Sequence, residues 1–432
     1  MAKKIKPLFS GGSDEELVGL AKTEGGCTAA KGFSATGIHA GFRKDPTRLD
    51  FALVVADEPC PAAATFTQNV FCAAPVVVSR EHLDDVQYGQ ARAIIINSGN
   101  ANAATGSIGL DNARRSASIA ADVVGCTADE VLVASTGVIG MHLPMGPFES
   151  GVPAAKEALS PDLEGGHLAA RAIMTTDTVA KECAYTFEVD DPAYGGATFT
   201  VGGMSKGSGM IMPNMATMIS VITTDAPVAA IDLRAALSAA VKDSFNKITV
   251  DSDTSTNDSC FLLASGAAAP GAPAMAAGTP AFERFSAALN AVCNDLARKM
   301  AADGEGATRL VTVRVTGAAS DEDADRAART IANSPLVKTA IYGHDCNWGR
   351  IAAAAGRSGA RFRQGDVAID IMGLPVCRQG LTVEFDEDEA LRRFEEPEIA
   401  IDIDLGAGDA ATRMWTCDFS HDYVTINGDY RT

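Results

Sequence analysis

The sequence predicts an α+β protein built on large sheets, and three patterns predict it. Short apolar, β-branched runs recur at 51–55, 93–96, 131–134 and 218–222, each long enough for a buried strand and too short for a helix. Residues 229–245 and 281–301 carry apolar side chains at helical spacing. Residues 310–315 and 398–405 alternate apolar with polar, the period of a half-buried strand. No fixed-period repeat runs through the chain, so a solenoid is excluded.

Taken in order, residues 13–22 read as a short helix or helical turn, with Ser13 as N-cap and Glu16 three residues on. Residues 51–55 read as a strand, as does the run Ala74-Pro75-Val76-Val77-Val78. The strand at 93–96 ends in an Asn/Gly turn, 97–102. A helix at 111–124 follows, and then the strand 131–134, which ends in the small-residue loop 135–140. Catalytic groups gather where strands run out into loops on a rigid scaffold, which marks both junctions. A third junction follows: a glycine-punctuated loop from Lys206, a Pro213-Asn214 turn, and Thr217 ahead of the strand 218–222. The helix 229–245 presents Leu233, Leu237, Val241 and Phe245 on one face. An Ala/Gly/Pro-rich loop, 264–280, leads into the helix 281–301, whose face is Phe282, Phe285, Leu289, Val292 and Leu296. The strand 398–405 turns its isoleucines inward and its acids outward.

At 432 residues the chain is long enough for two or three domain-sized units. Its 47% hydrophobic and 21% charged content excludes disorder. A net charge of −19 argues against nucleic acid and against an anionic membrane surface as partners. No apolar run reaches the roughly 18 residues of a membrane helix. The basic start Met1-Ala2-Lys3-Lys4 is followed by no signal-peptide core, so a cytoplasmic location is expected. Ten scattered cysteines form no C-x-x-C pair, which points to buried free thiols in a reducing compartment. Six dispersed histidines without an H-x-x-x-H pair argue against a metal hydrolase. Residues 202–209 lack the four-residue gap of a phosphate loop. Asp251 to Asp258 lacks the central glycine and final glutamate of an EF-hand, and reads as a hydrogen-bonded turn near the site.

The richest chemistry lies at Thr217. A threonine hydroxyl is a weak nucleophile until a base activates it. If the preceding bond breaks, Thr217 carries a free α-amino group with a reference pKa of about 7.7–8.0, suited to that task. Read by itself, the pattern favours a threonine that merely opens a strand. This junction does not stand alone. The blocks Gly32-Phe33 to Ala52-Leu53, Asn97–Asn102, Ser135–Gly140, Met174–Thr178, Asp251–Asp258, Asp303–Thr308, Asn347–Ile351 and Ile426-Asn427 accompany it in order. Together they resemble, nearly end to end, the ornithine acetyltransferase family, the bifunctional glutamate N-acetyltransferases of arginine biosynthesis. The resemblance reverses the bland reading of Thr217.

That resemblance implies a four-layer αββα sandwich with a smaller C-terminal α/β domain, roughly 310–432. It implies self-cleavage between Ala216 and Thr217 into an α chain, 1–216, and a β chain, 217–432, assembled as an α2β2 heterotetramer. Thr217 is then the nucleophile, and Thr136 and Gly137 hold the oxyanion. Thr175, Lys206, Thr217, Glu305, Asn427 and Thr432 contact substrate, with Lys206 assigned to a carboxylate and Glu305 to an ammonium by charge. The implied reaction moves acetyl from N2-acetylornithine to L-glutamate with no metal or organic cofactor. Some members also accept acetyl-CoA. Two other readings stay open: a self-processed threonine aminopeptidase or amidase, in which water takes the acyl group, and a silent ligand-binding protein with an uncut chain. The pair Lys206 and Glu305, suited to a charged amino-acid acceptor, favours the transferase. Two departures from the family pattern, Cys346 before Asn347-Trp348 and Thr28-Ala29-Ala30-Lys31, bear on local turns.

Overall fold

The computed structural model describes residues 19–85, 89–212 and 218–429, which fall into two compact units. The larger comprises 19–246 and 253–300; the smaller comprises Lys247–Ser252 and 301–429.

The larger unit contains β1 (Leu20–Thr23), β2 (Phe33–Ile38), β3 (Phe51–Phe66), α1 (Ala74–Asp85), β4 (Gln90–Asn100), α2 (Gly106–Val124), β5 (Val131–Val138), α3 (Gly146–Glu157), α4 (Leu163–Ala172), β6 (Lys181–Glu188), β7 (Thr198–Lys206), β8 (Ile219–Thr224), α5 (Ala230–Asp243), β9 (Ser259–Ala264) and α6 (Pro280–Ala302). Its strands join in the order β1-β6-β7-β8-β9-β3-β4-β5, with β2 also on β3. The long β3 is the fold line. Its first half pairs with β2 and β4, Cys60 and Pro61 rejoin β4, and residues 62–66 pair with β9. Between them the register to β4 shifts, and Asp57, Glu58 and Pro59 are exposed.

The two halves of this sheet therefore pack face to face. Ala52, Val54, Ala56, Ile94, Ile96, Leu132 and Ala134 from one half share a core with Met204, Ile219, Val221, Phe261 and Leu263 from the other. The alternate residues Phe51, Leu53, Val55, Ile95 and Val133 face outward against α1, α2 and α3. On the far side α5 lies on β3, and Val292 of α6 meets Gly203 of β7. The result is the helix–sheet–sheet–helix sandwich. Of the expected faces of α5 and α6, Leu233, Leu237, Val241, Phe285, Leu289, Val292 and Leu296 are fully buried, Phe245 is buried just past the end of α5, and Phe282 is only half-buried.

Two element assignments are corrected. Residues 74–78 begin helix α1 and are not a strand. Pro75 falls in the first turn, where its missing N–H costs nothing. Val78 and His82 then lie on one buried face at helical spacing. The neighbouring Ser79 hydroxyl donates to the Val133 carbonyl at 2.7 Å and accepts the Val133 amide at 2.8 Å, while His82 Nδ1 lies 2.8 Å from the Val131 carbonyl. Residues 20–23 form the edge strand β1 on β6 and are not helical; Ser13 and Glu16 lie outside the described residues. Strand pairing also runs further than the turn signals suggest, to Asn100 in β4 and Val138 in β5.

The smaller unit contains β10 (Leu310–Ala318), α7 (Asp321–Ala332), α8 (Pro335–Tyr342), α9 (Trp348–Gly356), β11 (Ala368–Ile371), β12 (Leu374–Arg378), β13 (Leu381–Thr382), α10 (Glu387–Arg393), β14 (Glu398–Asp404), β15 (Ala410–Cys417) and α11 (His421–Asp429). Its sheet runs β13-β12-β11-β14-β10-β15. Val311, Val313 and Val315 join Ile399, Ile401 and Ile403 in a core with Ala324, Ala328 and Ile331 of α7 and Ile351 of α9. The alternation read from 310–315 and 398–405 is borne out. All ten cysteines are free, and burial pushes the thiols of Cys27, Cys60 and Cys260 up to about 12. Among the described residues no helix is long and apolar enough to cross a membrane.

Candidate active site

The parallel strands β4 and β5 bring the two Asn/Ser/Gly blocks side by side: Asn97 opposite Ser135, Ser98 opposite Thr136, and Gly99 opposite Gly137. Side chains lock this end of the sheet. The Ser135 hydroxyl donates to Asn97 Oδ1 at 2.6 Å, and Asn97 Nδ2 donates to the Asn100 carbonyl at 2.9 Å. Asn257 Nδ2 donates to the carbonyls of Ala101 and Ser135 at 2.6 and 2.8 Å, which ties the 251–258 block to both strands. Gly137 has φ of 130°, and a Cβ built there would sit 2.4 Å from the Gly99 carbonyl carbon. Only glycine fits, and the lack of a side chain leaves its N–H open to close approach.

Lys206, the last residue of β7, places Nζ 3.5 Å from the Thr136 hydroxyl. The two line a cavity of about 30 Å³ with Gly209, Met218, Asn257 and Asp258. That is room for one water-sized group. Larger concavities, of about 720 Å³ on the six-stranded sheet and about 500 Å³ beside α1 and α5, contain none of the residues singled out from the sequence. Thr136 and Lys206, both singled out from the sequence, line the small one.

Thr175 is buried and joins the site through a residue that sequence reasoning passed over. Asp177 accepts Lys181 Nζ at 2.7 Å, the Thr175 amide at 3.0 Å and the Gly207 amide at 2.7 Å. One carboxylate therefore fixes the backbone at Thr175 and directly after Lys206. Burial by itself would raise its pKa, but the charges of Lys181 and Lys206 and these hydrogen bonds outweigh it and hold the carboxyl well below the usual range. Arg48 donates to the Thr175 carbonyl and Arg43 to the Met174 carbonyl, both at 2.8 Å, and Arg43 Nε reaches the Ser98 hydroxyl at 3.3 Å. The available signal was the Asp177–Lys181 spacing of four residues in a small-residue block.

Glu305 and Asn427 meet in the smaller unit, where Asn427 Nδ2 donates to Glu305 Oε2 at 2.7 Å. The loop carrying Glu305 packs on the start of α11. The Ser420 hydroxyl donates to the Gly306 carbonyl at 2.6 Å, and a Cβ on Gly306 would fall 2.5 Å from the Tyr423 nitrogen. Thus Thr136, Gly137, Thr175 and Lys206 are gathered in one unit, and Glu305 with Asn427 in the other. Ala216, Thr217 and Thr432 lie outside the described residues.

A family model matches residues 34–432, nearly the whole chain. The chain belongs to the ArgJ family. Its relatives include the arginine biosynthesis bifunctional protein ArgJ of Symbiobacterium thermophilum, 48% identical over 409 residues that cover 94% of this chain and 99% of the relative. The protein of the same name from Chlorobaculum tepidum is 47% identical over 402 residues, covering 93% and 96%. The crystal structure of an ArgJ from Bacillus halodurans is 44% identical and covers 50% of this chain and all of its own, with a TM-score of 0.48. This ArgJ-family chain is an acyltransferase of arginine biosynthesis, a glutamate N-acetyltransferase acting on small molecules.

Proposed function

We propose that cleavage between Ala216 and Thr217 makes Thr217 the N-terminal nucleophile, and that it carries acetyl from N2-acetylornithine to L-glutamate in two steps. The observation that supports this is the cavity shared by Thr136, Lys206 and Met218, the residue that follows Thr217 in the chain. In the first step the Thr217 hydroxyl attacks the acetyl carbon and its proton passes to the Thr217 amine. The Thr136 hydroxyl and the Gly137 N–H stabilise the oxyanion, a contribution of about 10²–10³ in rate per donor. The amine then hands its proton to the departing ornithine nitrogen. Glutamate enters, its neutral amine attacks the acetyl carbon of the ester and gives a proton to the Thr217 amine, and that proton passes to Oγ as the Oγ–C bond breaks, which regenerates Thr217.

Thr175, Lys206, Thr217, Glu305, Asn427 and Thr432 form the substrate contacts in this reading. Lys206 meets the amino acid's carboxylate, and Glu305, oriented by Asn427, meets its ammonium. The chemistry asks for no metal or organic cofactor, and acetyl-CoA serves as an additional donor for net synthesis of N-acetylglutamate. The mature enzyme is cytoplasmic, with 1–216 and 217–432 assembled as α2β2.

Intact-mass measurement with an acetyl-transfer assay tests this. Wild-type protein should give two chains, 1–216 and 217–432. Thr217→Ala should remain a single chain of 44.6 kDa with no detectable transfer. Two fragments from that variant would show that another bond or another nucleophile is used. Ornithine release that needs no glutamate would point to hydrolysis instead.

A further inference from the structure

One buried carboxylate in this site has no role in the mechanism so far. Asp258 stands immediately before β9 and lines the cavity with Thr136 and Lys206. In the parallel ladder, Ile219 of β8 lies opposite Ser259 of β9, and the Ser259 amide donates to the Met218 carbonyl at 2.8 Å. Asp258 and Met218 are thus neighbours across the strand starts. The Asp258 side chain is 1% exposed, and its Oδ2 has no hydrogen-bond partner among the described residues. Leaving a buried carboxylate oxygen unsatisfied is costly. Burial pushes its pKa well above the ordinary carboxylate range; the Ser255 hydroxyl, the Met218 amide, the Lys206 charge and the Thr67 hydroxyl offset this only in part. Among the described residues, the charged Lys206 and the titratable Cys72 interact with it electrostatically. Among the described residues, the lining holds one cationic side chain, Lys206, and chain cleavage would create a second cation a single residue before Met218.

We propose that Asp258 is a positioning residue for acetyl transfer: its free Oδ2 accepts a hydrogen bond from the amino group released at Thr217 and holds that amine toward the hydroxyl of the same residue. This rests on Thr217 as the nucleophile. The proton balance is complete without another reactant. As the Oγ–C bond forms, the Thr217 O–H bond breaks and the amine becomes an ammonium facing the Asp258 carboxylate. As the C–N bond of acetylornithine breaks, that ammonium returns the proton to the leaving nitrogen.

Asp258→Asn keeps the shape and removes the charge, and Asp258→Glu restores the charge. Both are made in the full chain, with maturation followed by intact mass and kinetics followed against pH. Asp258→Asn should lower kcat roughly 10²-fold with little change in KM, the scale of a single proton-transfer contribution. The acid limb of kcat/KM reports the amine, and a neighbouring carboxylate raises the pKa of an ammonium. Without it the limb should move to lower pH. Asp258→Glu should recover part of the rate and return the limb. Slow maturation in Asp258→Asn that Asp258→Glu relieves supports the same role, because the same amine is released there. An Asp258→Asn enzyme with wild-type kcat and an unmoved limb overturns the assignment. So does a parallel loss of rate and thermal stability in both variants with the limb in place, since that marks a structural role. Cleavage of Thr217→Ala would instead defeat the nucleophile reading. An uncut Thr217→Ala beside a wild-type-like Asp258→Asn defeats only the part given to Asp258.

Discussion

Asp177 in the larger unit and Asp402 in the smaller one are both carboxylates beside a basic side chain, yet their surroundings push them in opposite directions. Asp177 is fully buried, but Lys181, Lys206 and two backbone amides converge on it, and its pKa falls. Asp402 lies on the polar face of the six-stranded sheet and is held by Arg314, whose Nη2 donates to Oδ2 at 2.7 Å. Burial raises its pKa, and the nearby Asp370 adds to the rise, so one guanidinium does not compensate. The ion pair at Asp402 spans two strands in register, Arg314 opposite Asp402, and acts locally. That at Asp177 fixes two loops that reach the candidate site. A buried charge organises function when several donors from different parts of the chain need it at once.

The largest effect that could break this comparison is Asp177→Asn. It leaves Lys181 buried without its counter-charge, and should cost about 3–5 kcal/mol in chemical denaturation. It should also raise KM for the amino-acid substrates through misplaced Thr175 and Lys206. The sign with pH follows from the direction of the shift. A carboxyl whose folded pKa lies below its ordinary 3.8 contributes stability that is full above that value and is lost as pH falls below it. Wild-type protein should therefore lose stability more steeply than Asp177→Asn below about pH 4. An equal acid slope in the two proteins would remove the distinction between the two carboxylates.

Gly137→Ala sharpens the comparison by testing the backbone that the site network holds. A Cβ 2.4 Å from the neighbouring strand's carbonyl carbon forces β4 and β5 apart and would displace the N–H proposed as an oxyanion donor. Initial-rate assays should show kcat lower by about 10²–10³. Wild-type turnover would show that the Gly137 N–H faces no developing charge. Arg314→Met should have the smallest effect, about 1–2 kcal/mol of stability from the partly buried carboxylate it leaves behind, with transfer kinetics unchanged. A change in kcat there would show that the six-stranded sheet also serves the chemistry.

The elements legible in the sequence are those whose burial repeats with a local period. Residues 229–245, 281–301, 310–315 and 398–405 each show one face to a core as their spacing predicts, with Phe282 left half-buried. Residues 74–78 offered five small or apolar residues in a row, which carry no period. Their helix became visible only through Ser79 and His82, polar residues that bury because Val131 and Val133 of β5 offer backbone partners. The strand at 20–23, Leu-Ala-Lys-Thr, is four residues long and largely exposed, so no local pattern marks it; the open edge of β6 recruits it. In the candidate site, the sequence singles out Thr136, Gly137, Thr175, Lys206, Glu305 and Asn427 through recognisable blocks, and the structure places the first four in the larger unit and the last two in the smaller. The sequence assigns no separate role to Asp177 or Asp258: Asp177 lies between two threonines, Asp258 closes a block read as a hydrogen-bonded turn near the site, and nothing nearby in the chain announces a fully buried carboxylate.

The sequence by itself determined the family, the alternation and helical faces that define both cores, and the small-residue blocks that end β4 and β5. These depend on side-chain size, polarity and spacing along the chain. Only the tertiary structure decided that β3 folds one sheet into two layers, that Gly137 has no room for a side chain, and that Asp177 and Asp258 meet different fates in one site. Those outcomes depend on desolvation, close approach and counter-charge, which are set by residues tens of positions away and exist only once the strands are paired.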